Sequence, residues 1–185
     1  MNKELAKDPY IFHSYQSDVK IKKTLDFLSG KILRSSAILD VGQRSPLTDA
    51  IEKRFGVFVV NTSGDLDRDF IIPSQKSKFN VIIYSHTIEH QFNPLHTLEK
   101  LREVLSDNGV LYIFLPSRPD FLKYKDHFHE IDHINMKRLL SEAGFEIMMY
   151  SRQKVWRSFK FYLTGIRPLF RLFFEYNAIY ECVKK

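Results

Sequence analysis

The segment Ser85-His86-Thr87-Ile88-Glu89-His90 sets a hydroxyl, two imidazoles and a carboxylate side by side, directly after the apolar run Val81-Ile82-Ile83-Tyr84. An imidazole such as His86 serves as a general base when its pKa lies near neutrality. About forty residues earlier, Ile38-Leu39-Asp40-Val41-Gly42 ends a second apolar run with an acid and a glycine. Asp40 can hold an amine or backbone donors, and Gly42, lacking a side chain, lets main chain approach a ligand closely. Simpler roles exist for each: Asp40 as a cap with Gly42 in a tight turn, His86 as a polar loop residue, Glu89-His90 as a brace for the loop. The densest titratable cluster is His127, His129, Glu130, Asp132 and His133. Imidazole and carboxylate suit several divalent ions, but no companion ligands stand at fixed spacing, so no metal site is expected. Asp132 is expected to cap a helix that begins near Ile134.

These groups need elements to position them. Apolar residues at mostly helical spacing predict an N-terminal helix within Tyr15–Leu33, in an extension covering residues 1–34. Ala37–Gly42 and Val57–Val60 read as short strands buried on both faces, with a helix between them from Pro46 to Phe55. Pro46 suits the first turn of that helix, and Gly56 suits its end. Val81–Tyr84 is a third strand. Asn93-Pro94 opens a helix with the apolar stripe Leu95, Leu98, Leu101, Val104 and Leu105, stopped by Asp107-Asn108-Gly109. Val110–Leu115 is a buried strand ended by Pro116. A helix over Ile134–Ala143, a strand over Phe145–Tyr150 and a last strand over Ala178–Val183 complete the chain.

Strands alternating with helices predict one α/β domain over residues 1–185, built on a doubly wound, mostly parallel sheet. In such a sheet, ligands bind beyond the carboxyl ends of the strands, where the topology switches. Asp40, Gly42, Ser85 and His86 all fall at such ends. Only about nineteen residues separate Asn61 from Val81. A single parallel crossover takes roughly ten to twelve, so the region between the second strand and the strand at Val81 is expected to be shortened.

Bulk composition narrows the class. The 44% apolar share fits a globular protein, and the single Cys182 excludes a disulfide framework and agrees with a reducing cytoplasm. Met1 to Asp8 alternate in charge, so no signal peptide is expected, and no apolar run reaches the roughly 18–20 residues of a membrane span. The net charge of +6 is concentrated around Lys20–Arg34 and Arg152–Arg171. Both clusters read first as solvated helix faces.

The ordered motifs resemble the class I S-adenosylmethionine-dependent methyltransferases of small-molecule type. The resemblance rests on Ile38-Leu39-Asp40-Val41-Gly42, on Phe79-Asn80-Val81-Ile82-Ile83 leading to Thr87-Ile88-Glu89-His90, and on Leu101–Gly109 before the strand ending at Pro116. It rests also on His129 ahead of Ala143-Gly144-Phe145, and it covers roughly Ile38 to Tyr150. It implies a Rossmann-like methyltransferase fold and S-adenosylmethionine as cofactor. It places Asp40, Gly42, Gln43, Arg44, Asn61, Asp65 and Ser85 at the cofactor, and His86 and His129 at the methyl acceptor. Three positions depart from the family pattern. Arg44 and Pro46 stand where further glycines are usual, and Asn61 stands where a carboxylate would bond the ribose. Arg44 could instead pair with the cofactor's carboxylate, and Asn61 can still accept a hydrogen bond. Asp65, Asp67 and Asp69 are expected on a shortened loop near the adenine.

The position after the third strand lacks the Asn/Asp-Pro-Pro-aromatic signature of enzymes that methylate base amines, so a nucleic-acid substrate is not expected. A small or lipid-like acceptor is the implied substrate. From Lys154 to Glu175, Trp156, Phe159, Phe161, Phe170, Phe173 and Phe174 interleave with Arg157, Lys160, Arg167 and Arg171. This aromatic, basic helical insertion suits a membrane surface or an apolar substrate, or else packs on the sheet or forms a dimer interface. A binding or scaffold protein that has lost catalysis is the alternative reading, motivated by Arg44, Pro46 and Asn61.

Overall fold

The computed structural model describes residues 18–73, 78–119, 127, 131–154 and 162–185, with the side chain of Arg167 excepted. Its first strand, β1 (Ile38–Asp40), is buried throughout and pairs in parallel with β2 (Val59–Asn61) on one side. On the other it pairs with the long apolar strand running Phe79–Ser85. Between these two partners lies a two-stranded antiparallel ribbon, β3 (Ser63–Gly64) with β4 (Phe70–Ile71), so the strand at Phe79–Ser85 is β5. The ribbon accounts for the short spacing: the chain turns back on itself instead of making a helical crossover. Residues 74–77 lie outside the described part.

The main sheet continues with β6 (Leu105–Ser117), β7 (Phe145–Lys154) and β8 (Tyr176–Lys184), in the order β2-β1-β5-β6-β8-β7. The first four strands are parallel, and β8 runs antiparallel to both neighbours. Side chains of a strand alternate between its two faces. Ile38, Val81, Ile83, Tyr112 and Phe114 point to one face, where they meet Leu28 of α1 (Asp18–Leu28) and Leu47 and Ile51 of α2 (Pro46–Phe55). Leu39, Ile82, Tyr84, Leu111, Ile113 and Leu115 point to the other. They pack against Leu98 and Leu101 of α3 (Pro94–Val104) and Met136 and Leu140 of α4 (His133–Glu142). Helices on both faces of a mostly parallel sheet give the doubly wound, Rossmann-like arrangement expected from the sequence.

The helices begin where their caps dictate. Ser45 accepts a hydrogen bond from the Thr48 amide while Thr48 Oγ1 accepts from the Ser45 amide, a reciprocal capping box with Pro46 in the first turn. Asn93 caps α3 and Asp132 caps α4, the latter accepting from the Asn135 amide at 2.8 Å. Some boundaries differ from expectation, two of them around β6. Asp107-Asn108-Gly109 does not end a helix, because α3 stops at Val104 and Leu105 is already extended, paired with Phe79 and fully buried. Burying Leu105 in the sheet outweighs its fit to the helical stripe. Pro116 likewise does not end its strand: it faces Asn177 within the β6–β8 pairing. Of the aromatic, basic insertion, the described part contains α5 (Ile166–Phe174), with Ile166, Leu169, Phe170, Phe173 and Phe174 exposed and Arg171 buried.

Candidate active site

Asp40 ends β1, and its carboxylate turns into the junction with α2. It accepts from Thr48 Oγ1 at 2.6 Å and from Asn61 Nδ2 at 3.4 Å. Burial pushes the carboxyl up from 3.8 to about 6, against the pull of those two hydrogen bonds. Asn61, level with Asp40 at the end of β2, points its amide nitrogen inward, also 3.3 Å from the carbonyl oxygens of Asp40 and Gly42. All these partners are acceptors, which fixes the amide's orientation and leaves Oδ1 as its remaining acceptor. Gly42 has a φ of 116°, a conformation that favours glycine, and its amide donates to Thr62 Oγ1 at 2.8 Å. A Cβ at Gly42 would meet only Thr87 Oγ1, at 3.8 Å, so the main chain is open to approach between the β1 and β5 loops.

Gln43 and Arg44 are exposed. Arg44 lies back along α2, paired with Asp49 at 2.6 Å and with Glu52 at 2.5 Å. Glu52 also accepts from the Val59 amide at 2.9 Å, so Arg44 belongs to a clamp joining α2 to the start of β2. The arginine expected at the cofactor's carboxylate is thus held by two carboxylates of the helix that follows it. Pro46 is the first residue of the capped helix.

At the end of β5 Ser85 is buried, and His86 just beyond it adopts a positive φ of 53°, unusual for a residue with a side chain. The His86 amide donates to the Phe114 carbonyl at 2.8 Å, which ties the turn to the neighbouring strand. A short 3-10 turn over Ile88–His90 then carries Glu89 beneath the loop. Glu89 Oε1 lies 3.5 Å from His86 Nδ1 and 4.0 Å from His90 Nε2, at the bracing position the sequence suggests. Burial lowers the pKa of His86, with the charges of Lys20 and Arg118 acting in the same direction. His86 Nε2 and Glu89 Oε2 are both buried without a hydrogen-bond partner. His127 stands edge-on to His90, with ring centroids 4.6 Å apart.

The acidic residues before β5 serve the fold locally. Asp65 accepts from the Asp67 amide and lies 3.7 Å from Arg68. Asp67 accepts from the amides of Phe92 and Asn93, at 3.0 and 2.7 Å, pinning the ribbon loop onto the segment before α3. His133 stacks on Tyr150 at 4.0 Å and lies 3.3 Å from the Tyr180 hydroxyl, so the sequence cluster divides. His129 and Glu130 lie outside the described residues. Sequence reasoning missed Thr48 and Thr62, which hold Asp40 and Gly42. The serine and threonine of the capping box were the available signal for Thr48; no local pattern marks Thr62. It also missed the buried pair of Arg118 and Glu175, 3.1 Å apart, joining the end of β6 to the chain entering β8.

A doubly wound sheet with an acid and a glycine at the end of its first strand, and a polar turn after its central one, defines a class of Rossmann-like proteins that place ligands at this edge. Within that class the chain belongs to the family described as "Methyltransferase domain", whose model matches residues 12–149. Among curated proteins no sequence matches the chain significantly. Solved structures share the fold at low identity. A candidate methyltransferase from Bacillus halodurans C-125 is 13% identical with a TM-score of 0.62, covering 89% of this chain and 98% of that one. The [4+2]-cyclase SpnF is 14% identical with a TM-score of 0.58, covering 88% and 80%. Magnesium protoporphyrin IX methyltransferase from Synechocystis PCC 6803, solved with bound SAH, is 13% identical with a TM-score of 0.53, covering 89% and 82%. Family membership implies S-adenosylmethionine as the cofactor. No helix among the described residues is long and apolar enough to cross a membrane.

Proposed function

We propose that this protein transfers the methyl group of S-adenosylmethionine to a small or lipid-like acceptor. The observation that carries the reading is the edge where β1, β2 and β5 end together. Gly42 there leaves its main chain open, and Asn61 and Ser85 flank it. The residues fit the cofactor at these points. The main chain at Gly42 would face the methionine portion, Asn61 Oδ1 would accept from a ribose hydroxyl, and Ser85 would line the approach. Asp40 would act from beneath, through Thr48 and Asn61. When bound, the cofactor supplies an electrophilic methyl group, and the chain's main contribution is alignment of the acceptor with it.

In this reading His86 supports the acceptor. Its unpartnered Nε2 is the lone pair to which an acceptor hydroxyl would donate, while Nδ1 faces Glu89. His129 keeps its place as a second candidate at the acceptor side. The exposed aromatic face of α5 favours an apolar acceptor or a membrane-surface location. Calorimetric titration with S-adenosylmethionine and with its demethylated product tests the reading. Binding in the micromolar range is expected, and no heat from a folded sample removes its basis.

A second reading has an observation of its own. Arg44 is held by Asp49 and Glu52, Pro46 removes a backbone donor, and the Asn61 amide turns inward. These favour a methyltransferase-like binding module without catalysis. The fold tolerates such a change of role, since site and fold are separable. The double variant R44G/P46G distinguishes the two: on the second reading it gains cofactor affinity that the native chain lacks.

A further inference from the structure

Beside the loop that follows β5 lies a constellation beyond what methyl transfer uses, two of its residues buried and the third half-buried. Glu89, His90 and His127 each offer one ligand atom, and these atoms all lie within 4.8 Å of one another. Two of the residues are neighbours in the 3-10 turn. The third comes from a segment beyond β6, so the cluster is made by the fold and not by a local motif. Glu89 is 1% exposed, and its Oε2 has no hydrogen-bond partner. A buried carboxylate oxygen left without a donor is unfavourable. Its neighbours are imidazoles, whose nitrogens can serve as metal ligands as readily as hydrogen-bond donors.

We infer that Glu89, His90 and His127 form a binding site for one divalent transition-metal ion of borderline character, such as zinc, cobalt or iron(II). Two imidazoles and one carboxylate suit these ions, and the set leaves a further coordination position open. Ligand atoms around a four-coordinate ion with bonds of about 2.0–2.2 Å stand roughly 3.4 Å apart. The cluster therefore closes by about an ångström on binding, a movement within reach of side-chain torsions. Glu89 Oε2 gains the partner it lacks, and His86 becomes the neighbour that orients the ligating carboxylate through its Nδ1. The open position would take a water or, if the proposed methyl transfer is right, an oxygen of the acceptor. Metal binding itself does not depend on that reading.

The full chain, stripped with EDTA and dialysed, is titrated with Co²⁺ by visible absorption and with Zn²⁺ by calorimetry and thermal shift. The site predicts one ion per chain, d–d absorption from low-coordinate cobalt, and a rise in Tm with Zn²⁺. E89Q and H127A should each weaken binding by at least about tenfold, whereas H96A, altering a histidine on α3, should leave it unchanged. Two positions are tested because E89Q could fail to fold; H127A, checked by circular dichroism, then decides alone. Binding absent from the native chain, or equal in folded H127A, overturns the site. Titration of the same stripped protein with S-adenosylmethionine reads the methyltransferase proposal separately.

Discussion

Replacing Asp40 with Asn should make the protein more stable above neutrality and leave it unchanged near pH 4. In the folded chain the Asp40 carboxyl is pushed from 3.8 to about 6 by burial. A group that binds its proton more tightly folded than unfolded adds stability that is fully present below the unfolded pKa. That stability is lost as pH rises through the folded pKa. The displacement of about two units corresponds to about 3 kcal/mol. Asn keeps the neutral shape of the protonated acid: its oxygen can accept from Thr48 Oγ1, as Asp40 does at 2.6 Å. Urea unfolding of both proteins from pH 4 to pH 8 isolates the effect, because every other titrating group cancels in the difference. The difference should start near zero and grow to about 3 kcal/mol in favour of D40N. A difference that stays flat with pH, or D40N less stable at pH 8 than at pH 4 relative to the native protein, would refute the assignment of a strained, buried carboxyl. The same variant should bind S-adenosylmethionine more weakly if the charge beneath Gly42 matters to the cofactor.

Other outcomes follow from the same geometry. G42A must place a side chain at a φ of 116°, so a loss of about 1–2 kcal/mol is expected by thermal denaturation. Calorimetry should show a larger fall in cofactor affinity than that loss explains, since the new methyl group occupies the open approach. S45A removes one half of the capping box at α2 and should cost about 1 kcal/mol by chemical denaturation, with the fold retained. Changing Phe173, which is 57% exposed, together with Leu169 to Ser should leave Tm almost unchanged. If α5 contacts membranes, the same pair should abolish flotation with anionic liposomes.

Much of the architecture was legible because burial left a periodic record. The mostly apolar β1 and β5 read as strands covered on both faces, and the stripe of α3 matched its buried side at Leu98 and Leu101. The boundaries that went wrong lie where long-range pairing beats local signals. Leu105 fits a helical stripe, yet pairing with Phe79 draws it into the sheet, and the turn residues Asp107 to Gly109 are carried along. The shortened connection was legible from its length alone. Its ribbon was not, because a two-residue pairing between Ser63–Gly64 and Phe70–Ile71 leaves no pattern in hydropathy.

The candidate site was legible only in part, and the reason is directional. A sequence names Arg44, Asn61 and Asp65 as groups at the right strand ends but does not say where they point. Arg44 is exposed and is followed by a helix that carries two carboxylates, Asp49 and Glu52, so it folds back onto α2. Asn61 faces a buried carboxylate and two carbonyls, and its amide must satisfy them before it serves a ligand. Asp65 is captured by the turn it starts. Arg44, Pro46 and Asn61 each have a structural duty, and these duties converge on one junction: Ser45 and Thr48 cap α2 with Pro46 in its first turn, Thr48 and Asn61 hold Asp40, and Arg44 and Glu52 tie α2 to β2. A glycine at position 44 would remove the clamp as well as the bulk. R44G alone should therefore lower Tm even where it opens the cofactor approach. A gain in S-adenosylmethionine affinity accompanied by lost stability would show that this junction trades openness for rigidity; a gain without any loss of Tm would show that the clamp holds nothing.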